Sequence, residues 1–126
     1  PTPEQTREIL DCYRRAILFH YRGEKKEGVN RRKGRRAFLD AIVELEGEMF
    51  KDGYYKAFVL LSGPCGLCAQ CAKPEGQPCN LGSRARPSME SCGIDVYQTA
   101  WNNGFPIQPL RHKDETQNLY CLMLVD

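Results

Sequence analysis

Apolar positions along this chain switch between a strand-like and a helical period, and the switches outline its elements. Thr2-Pro3-Glu4-Gln5 opens a helix, with Thr2 as cap, Pro3 at the first helical position and Gln5 completing a capping box. That helix should reach about Cys12. Ala16-Ile17-Leu18-Phe19-His20-Tyr21 is rich in strand formers and is read as a strand, a single long helix through Tyr21 being the competing assignment. A polar loop at Gly23–Asn30 follows. Arg31 to Lys51 is then an amphipathic helix, with Phe38, Ala41, Ile42, Leu45 and Met49 on one face and Asp52-Gly53 as its stop. Tyr54–Leu61 reads as a strand apolar enough to be covered on both faces. Asp95 starts a short helix, Val96–Asn103, which Gly104 and Pro106 end. Pro106–Arg111 and Leu119–Val125 are two final strands, joined by a polar turn at Lys113–Gln117.

Strand, long helix, strand is a βαβ unit, whose two strands should run parallel with a right-handed crossover. The pattern predicts an α/β fold, with α+β as the fallback. One domain would span residues 1–126, built on a mixed sheet of about four strands with helices packed against it. The length of 126 residues is enough for one buried core. Hydrophobic residues at 41% and charged residues at 27% suit a folded globule rather than a disordered chain. No apolar run approaches the ~18 residues of a membrane-spanning helix.

Between Gly63 and Pro87 little regular structure is expected. This long segment follows directly on the carboxyl end of a buried strand, where open α/β sheets place ligands. Four of the seven cysteines lie in it, as Cys65-x2-Cys68-x2-Cys71-x7-Cys79. Short, clustered spacing argues against a secreted disulfide framework and for metal or redox chemistry in a reducing, cytoplasmic setting. Cys-x2-Cys-x2-Cys begins the bacterial ferredoxin ligand run, although the fourth cysteine here comes later and no proline follows it. Gly63, Gly66, Ala69 and Ala72 leave room for the backbone to approach a cluster. Zinc usually takes two separated Cys-x2-Cys knuckles, and three consecutive x2 spacings are awkward for it. A thioredoxin-type dithiol normally opens a helix, which this loop does not. Spacing therefore favours a [4Fe–4S] cluster on Cys65, Cys68, Cys71 and Cys79, with zinc as the alternative. Cys92 is an additional ligand, a neighbour of the site or a buried residue. Met89 reads as packing, and Cys12 and Cys121 as buried small hydrophobes.

These residues also carry a resemblance. The cysteine run, followed by Arg86-Pro87-Ser88-Met89-Glu90-x-Cys92-Gly93-Ile94-Asp95-Val96, resembles a prokaryotic domain-of-unknown-function family described as predicted metal-binding proteins. Tyr54-Tyr55-Lys56-Ala57-Phe58 and the closing Leu119–Val125 strand are similar to it too. The resemblance implies a metal role and a setting in anaerobic bacteria and archaea, which suits an oxygen-sensitive cluster. It also implies a second cysteine-rich segment upstream, ending in Cys-Pro-Pro. The opening Pro1-Thr2-Pro3 reads as the sequence just after such a segment.

The net charge of +2 hides an asymmetry: residues 22–36 carry +6 and the rest of the chain −4. Arg31, Arg32, Lys33, Arg35 and Arg36 sit at the start of the long helix, where positive charge opposes the helix dipole. They are candidates for binding phosphate, nucleic acid or an acidic redox partner, against the plainer reading of a solvated basic loop. No aromatic interleaving marks a base-stacking surface. His20 reads as packed and His112 as exposed. Tyr97 and Trp101, four apart, should pack on the sheet near the cysteine loop. No Ser-His-Asp set, phosphate loop or His-Glu-x-x-His motif is present. The function expected is an iron–sulfur protein in electron transfer or redox support of a partner enzyme. A zinc-stabilised module using the 31–36 patch on an anionic partner is the alternative. A metal-dependent enzyme with an open iron is the third.

Overall fold

Helix α1 spans Pro3–Asp11 and starts as its sequence predicts. Thr2 Oγ1 accepts from the Gln5 N–H, and Gln5 Oε1 accepts from the Thr2 N–H, so two orphan donors are satisfied at once. The computed structural model describes residues 2–23, 31–107 and 117–126. Strand β1 is Ala16–Gly23, helix α2 is Arg31–Lys51, strand β2 is Phe58–Leu60, helix α3 is Val96–Asn102 and strand β3 is Gln117–Leu124.

β3 lies between the other two strands, in the order β1-β3-β2. It pairs antiparallel with both, Ala16 opposite Leu124 on one side and Phe58 opposite Leu124 on the other. β1 and β2 therefore run in the same direction, as the βαβ reading expects, but another strand is inserted between them. The unit is a split βαβ. The expected mixed sheet of four strands is, among the described residues, a three-stranded sheet with antiparallel ladders. Its parallel element is the single bridge Leu61↔Ser88. The expected strand Pro106–Arg111 is irregular at Pro106 and Ile107, and its remainder lies outside the described residues, as do 113–116 of the predicted turn.

β2 is shorter than predicted because Tyr54–Ala57 completes the turn after α2. Gly53 takes φ +101°, the Tyr54 N–H donates to Met49 O, and the Ala57 N–H donates to Tyr54 O.

Side chains alternate across the sheet and build two apolar layers. Leu39 and Ile42 of α2 pack on Val59, Cys121, Met123 and Val125. On the opposite face, Met89, Cys92 and Ala100 pack on Leu60 and Tyr120. Central β3 is thus covered on both sides. Of the expected face of α2, Ile42 is buried and Phe38 and Met49 pack partly against the core, but the face is rotated: Leu39 and Glu46 are buried, whereas Ala41 and Leu45 are exposed. Glu46 on this face is buried with its carboxylate hydrogen-bonded to Arg86 and to the Val59 N–H.

Candidate metal centre

The cysteine loop begins where β2 ends, and its two ends are tied together. The Leu61 N–H donates to Pro87 O at 2.8 Å, and the Met89 N–H donates to Leu61 O at 2.8 Å. Between them the chain makes an excursion from Ser62 to Arg86.

Four side chains fix this neck. From α2, Arg35 Nη2 donates to Ser62 O at 2.8 Å and to Pro64 O at 3.3 Å. Glu90 Oε2 accepts the Gly63 N–H at 3.2 Å. At the far end, Arg86 Nε and Nη2 both donate to the Glu46 carboxylate, Nη2 at 2.6 Å. Glu46 Oε2 also accepts the Val59 N–H at 2.8 Å. One carboxylate thus serves the edge of β2 and the end of the loop together. Its hydrogen bonds push the Arg86 guanidinium above its ordinary pKa, against the lowering effect of burial. Gly63 adopts φ +71°, and a Cβ there would stand 3.0 Å from Arg35 Nη2, so the turn needs glycine twice over.

Within the excursion, the loop's own backbone hydrogen bonds fall in two turns, at Ala72–Gln77 and Leu81–Ala85. Cys65 and Cys71 are exposed; Cys68 and Cys79 are half-buried; all are free thiols. Among the described residues, no three Cys, His, Asp or Glu side chains stand close enough to grip one ion. The loop brings the four cysteines onto one surface excursion without assembling them. Four soft thiols on this segment nonetheless suit a thiolate-bound metal, because no α-helix or strand lies between them, only the short 3-10 turn at Lys73–Glu75, and sites of this kind commonly form as the metal binds.

The other cysteines are elsewhere. Cys92 is buried beside Met89 in the core, which settles Met89 as packing. Cys121 is fully buried under α2, as expected, and burial pushes its thiol up to about 12. Cys12 is exposed rather than buried, because the end of α1 presents it to solvent; its Sγ donates to Glu8 O at 3.4 Å.

The basic run divides. Arg35 and Arg36 turn toward the loop, Arg32 and Lys33 are exposed, and the side chain of Arg31 lies outside the described residues. Arg36 Nε lies 3.2 Å from Asp40, to which Arg84 Nη2 also comes within 3.8 Å. Arg36, Asp40, Arg84 and Cys65 line one groove. Tyr97 and Trp101 do not pack on the sheet; both are about half exposed, and Ala100 makes the contact instead. Trp101 Nε1 donates to Ile107 O at 2.8 Å. His20 is exposed but stacked on Tyr120, with Nε2 2.7 Å from Asn118 Oδ1. His112 lies outside the described residues.

The sequence reading did not single out Glu46, and it named Arg86 and Glu90 only within the segment that carries the resemblance, with no task of their own. A signal existed for Glu46, which falls four residues after Ile42 and seven after Leu39 on the stripe that is buried. Among the described residues no helix is long and apolar enough to cross a membrane.

Comparison with known proteins gave no match to a curated protein and none to a solved structure. It did match residues 1–125 to the family described as predicted metal-binding protein (DUF2284), the kind of family that the cysteine run and the 86–96 segment resemble. With almost its whole length covered, the chain belongs to that family of predicted metal-binding proteins.

Proposed function

We propose that the chain is an iron–sulfur protein in which Cys65, Cys68, Cys71 and Cys79 hold a [4Fe–4S] cluster, and that it transfers electrons to a partner or supports a partner enzyme's redox step. The observation that carries this reading is the tied neck. A loop with four free thiols is closed by the Leu61–Ser88 bridge and by the Arg35 and Arg86 contacts, so its ends stay fixed while its middle is free to wrap a metal centre. Spacing favours a cubane over a single zinc. A bound cluster supplies one-electron chemistry. With four thiolates it is closed to substrate, and outer-sphere electron transfer is what remains.

The chain's own residues have definite tasks in this reading. The four thiols give up their protons on binding. Arg35 and Glu90 hold the turn that presents Cys65, and Arg86 holds the end that follows Cys79. The short, clustered spacing of the loop cysteines supports a reducing cytoplasmic setting. The structure lends less support to a nucleic-acid patch at 31–36, since Arg35 and Arg36 are committed to the loop and to Asp40.

Anaerobic reconstitution with iron and sulfide tests the ligand set. Serine at Cys65, Cys68, Cys71 or Cys79 should each abolish or halve cluster content, while serine at Cys12 should leave it unchanged. Full cluster content in Cys79→Ser would remove that residue from the set.

A further inference from the structure

Arg35 and Arg36 stand side by side in the second turn of α2, and no acidic residue occupies the turn before them. Arg35 reaches past Ser62 to the carbonyl of Pro64, the residue before Cys65. Arg36 Nη1 lies 4.0 Å from where a Cβ on Gly66 would stand, over the backbone between Cys65 and Cys68. Arg84 approaches from the other end of the loop, and it shares the single carboxylate of Asp40 with Arg36. The base of the loop therefore holds three guanidiniums against two carboxylates, Asp40 and the Glu90 that accepts the Gly63 N–H, with Arg86 and Glu46 balancing each other behind them, so one positive charge is left over.

An anionic centre would meet this excess. Four thiolates around an oxidised cubane or one zinc ion give a net charge of about −2, and a reduced cubane carries one more negative charge. We propose that Arg36, with Arg84, is the counter-charge of the thiolate-bound metal centre and that Asp40 trims it, while Arg35 is the positioning residue for the Cys65 turn. This rests on the reading that the loop cysteines bind metal. It adds a regulation of that site by three residues that are not ligands. A nearby cation stabilises the more negative, reduced state, and a nearby carboxylate does the reverse.

Sign provides the test. Arg36→Gln, Arg36→Lys and Asp40→Asn are compared with wild type in the anaerobically purified full chain. The midpoint potential is read by redox titration, and metal retention by the rate of loss to a chelator. Arg36→Gln should lower the potential and speed metal loss by roughly tenfold, a typical cost for a residue just outside the ligand set. Arg36→Lys should restore most of both. Asp40→Asn should shift the potential upward and slow the loss. A structural role for the Arg36–Asp40 pair predicts the same direction for both neutralised variants, because each breaks the same contact. Shifts of the same sign, or none, with an intact cluster would overturn the counter-charge assignment. A wild-type protein holding zinc and no cluster would instead remove the iron–sulfur reading. The assignment would then stand or fall on the chelator rates alone, with the same opposite signs required.

Discussion

Arg86 and Glu46, forty positions apart in the chain, form a forked ion pair with side chains only 15% and 11% exposed. The pair joins the end of the cysteine loop to the C-terminal part of α2, and the same carboxylate accepts the Val59 N–H from β2. Loop, helix and sheet edge thus meet at one group.

Replacing Glu46 by alanine leaves a largely buried guanidinium and a buried N–H without their acceptor. We expect a loss of about 3–5 kcal/mol of stability in urea unfolding. Arg86→Ala should cost a comparable amount, and the double variant clearly less than the sum. Additive costs would show that the pair is not coupled.

Gly63 and Gly76 both adopt positive φ, +71° and +76°, but only Gly63 has a neighbour where its Cβ would go. Alanine at Gly76 should cost about 1–2 kcal/mol, the price of the left-handed backbone alone. Alanine at Gly63 should cost more and should also open the neck to proteolysis, because Arg35 must retreat from Ser62 and Pro64. Equal effects at the two positions would argue against the Arg35 contact.

Cys121 should make the fold sensitive to alkali. Its thiol lies above the ordinary value of 9.0, at about 12, chiefly through burial, so folding favours the protonated form. That contribution is complete below the unfolded value and is lost as pH rises from there through about 12. Tyr13 and Tyr120, both raised mainly by burial, act in the same direction. Urea midpoints should fall as pH climbs above 9.0. Cys121→Ala should fall less steeply than wild type.

Alkylation followed by peptide mass mapping should sort the seven cysteines into three groups. Cys12, exposed at the end of α1, reacts in every state. Cys92 and Cys121 react only on unfolding. Cys65, Cys68, Cys71 and Cys79 are protected while metal is bound and react after chelation. Ready labelling of the loop cysteines in metal-loaded protein would contradict their role as ligands.

Local signals in the sequence located the elements well. The capping box at Thr2 and Gln5, the stop at Gly53 and the Asp95 cap, whose carboxylate accepts the Gln98 N–H, are short-range chemistry and are legible residue by residue. Pairing between distant segments was not legible. Nothing near β1 or β2 announces that β3 will insert between them, since that order depends on contacts across most of the chain. The rotation of α2 was hidden because Glu46 reads as surface until Arg86 and Val59 are known to need it. The same holds at the site: spacing singled out the four loop cysteines as candidates and set them after a strand, whereas two of the groups that close the neck, Arg35 and Glu46, lie on α2.

The most direct test of the account is the visible spectrum of the anaerobically purified protein, with iron, zinc and acid-labile sulfide measured on the same sample. The account predicts a brown protein with a broad sulfur-to-iron charge-transfer band and matched iron and sulfide, all lost together on chelation. A colourless protein from anaerobic cells, holding about one zinc per chain and no sulfide, would contradict it.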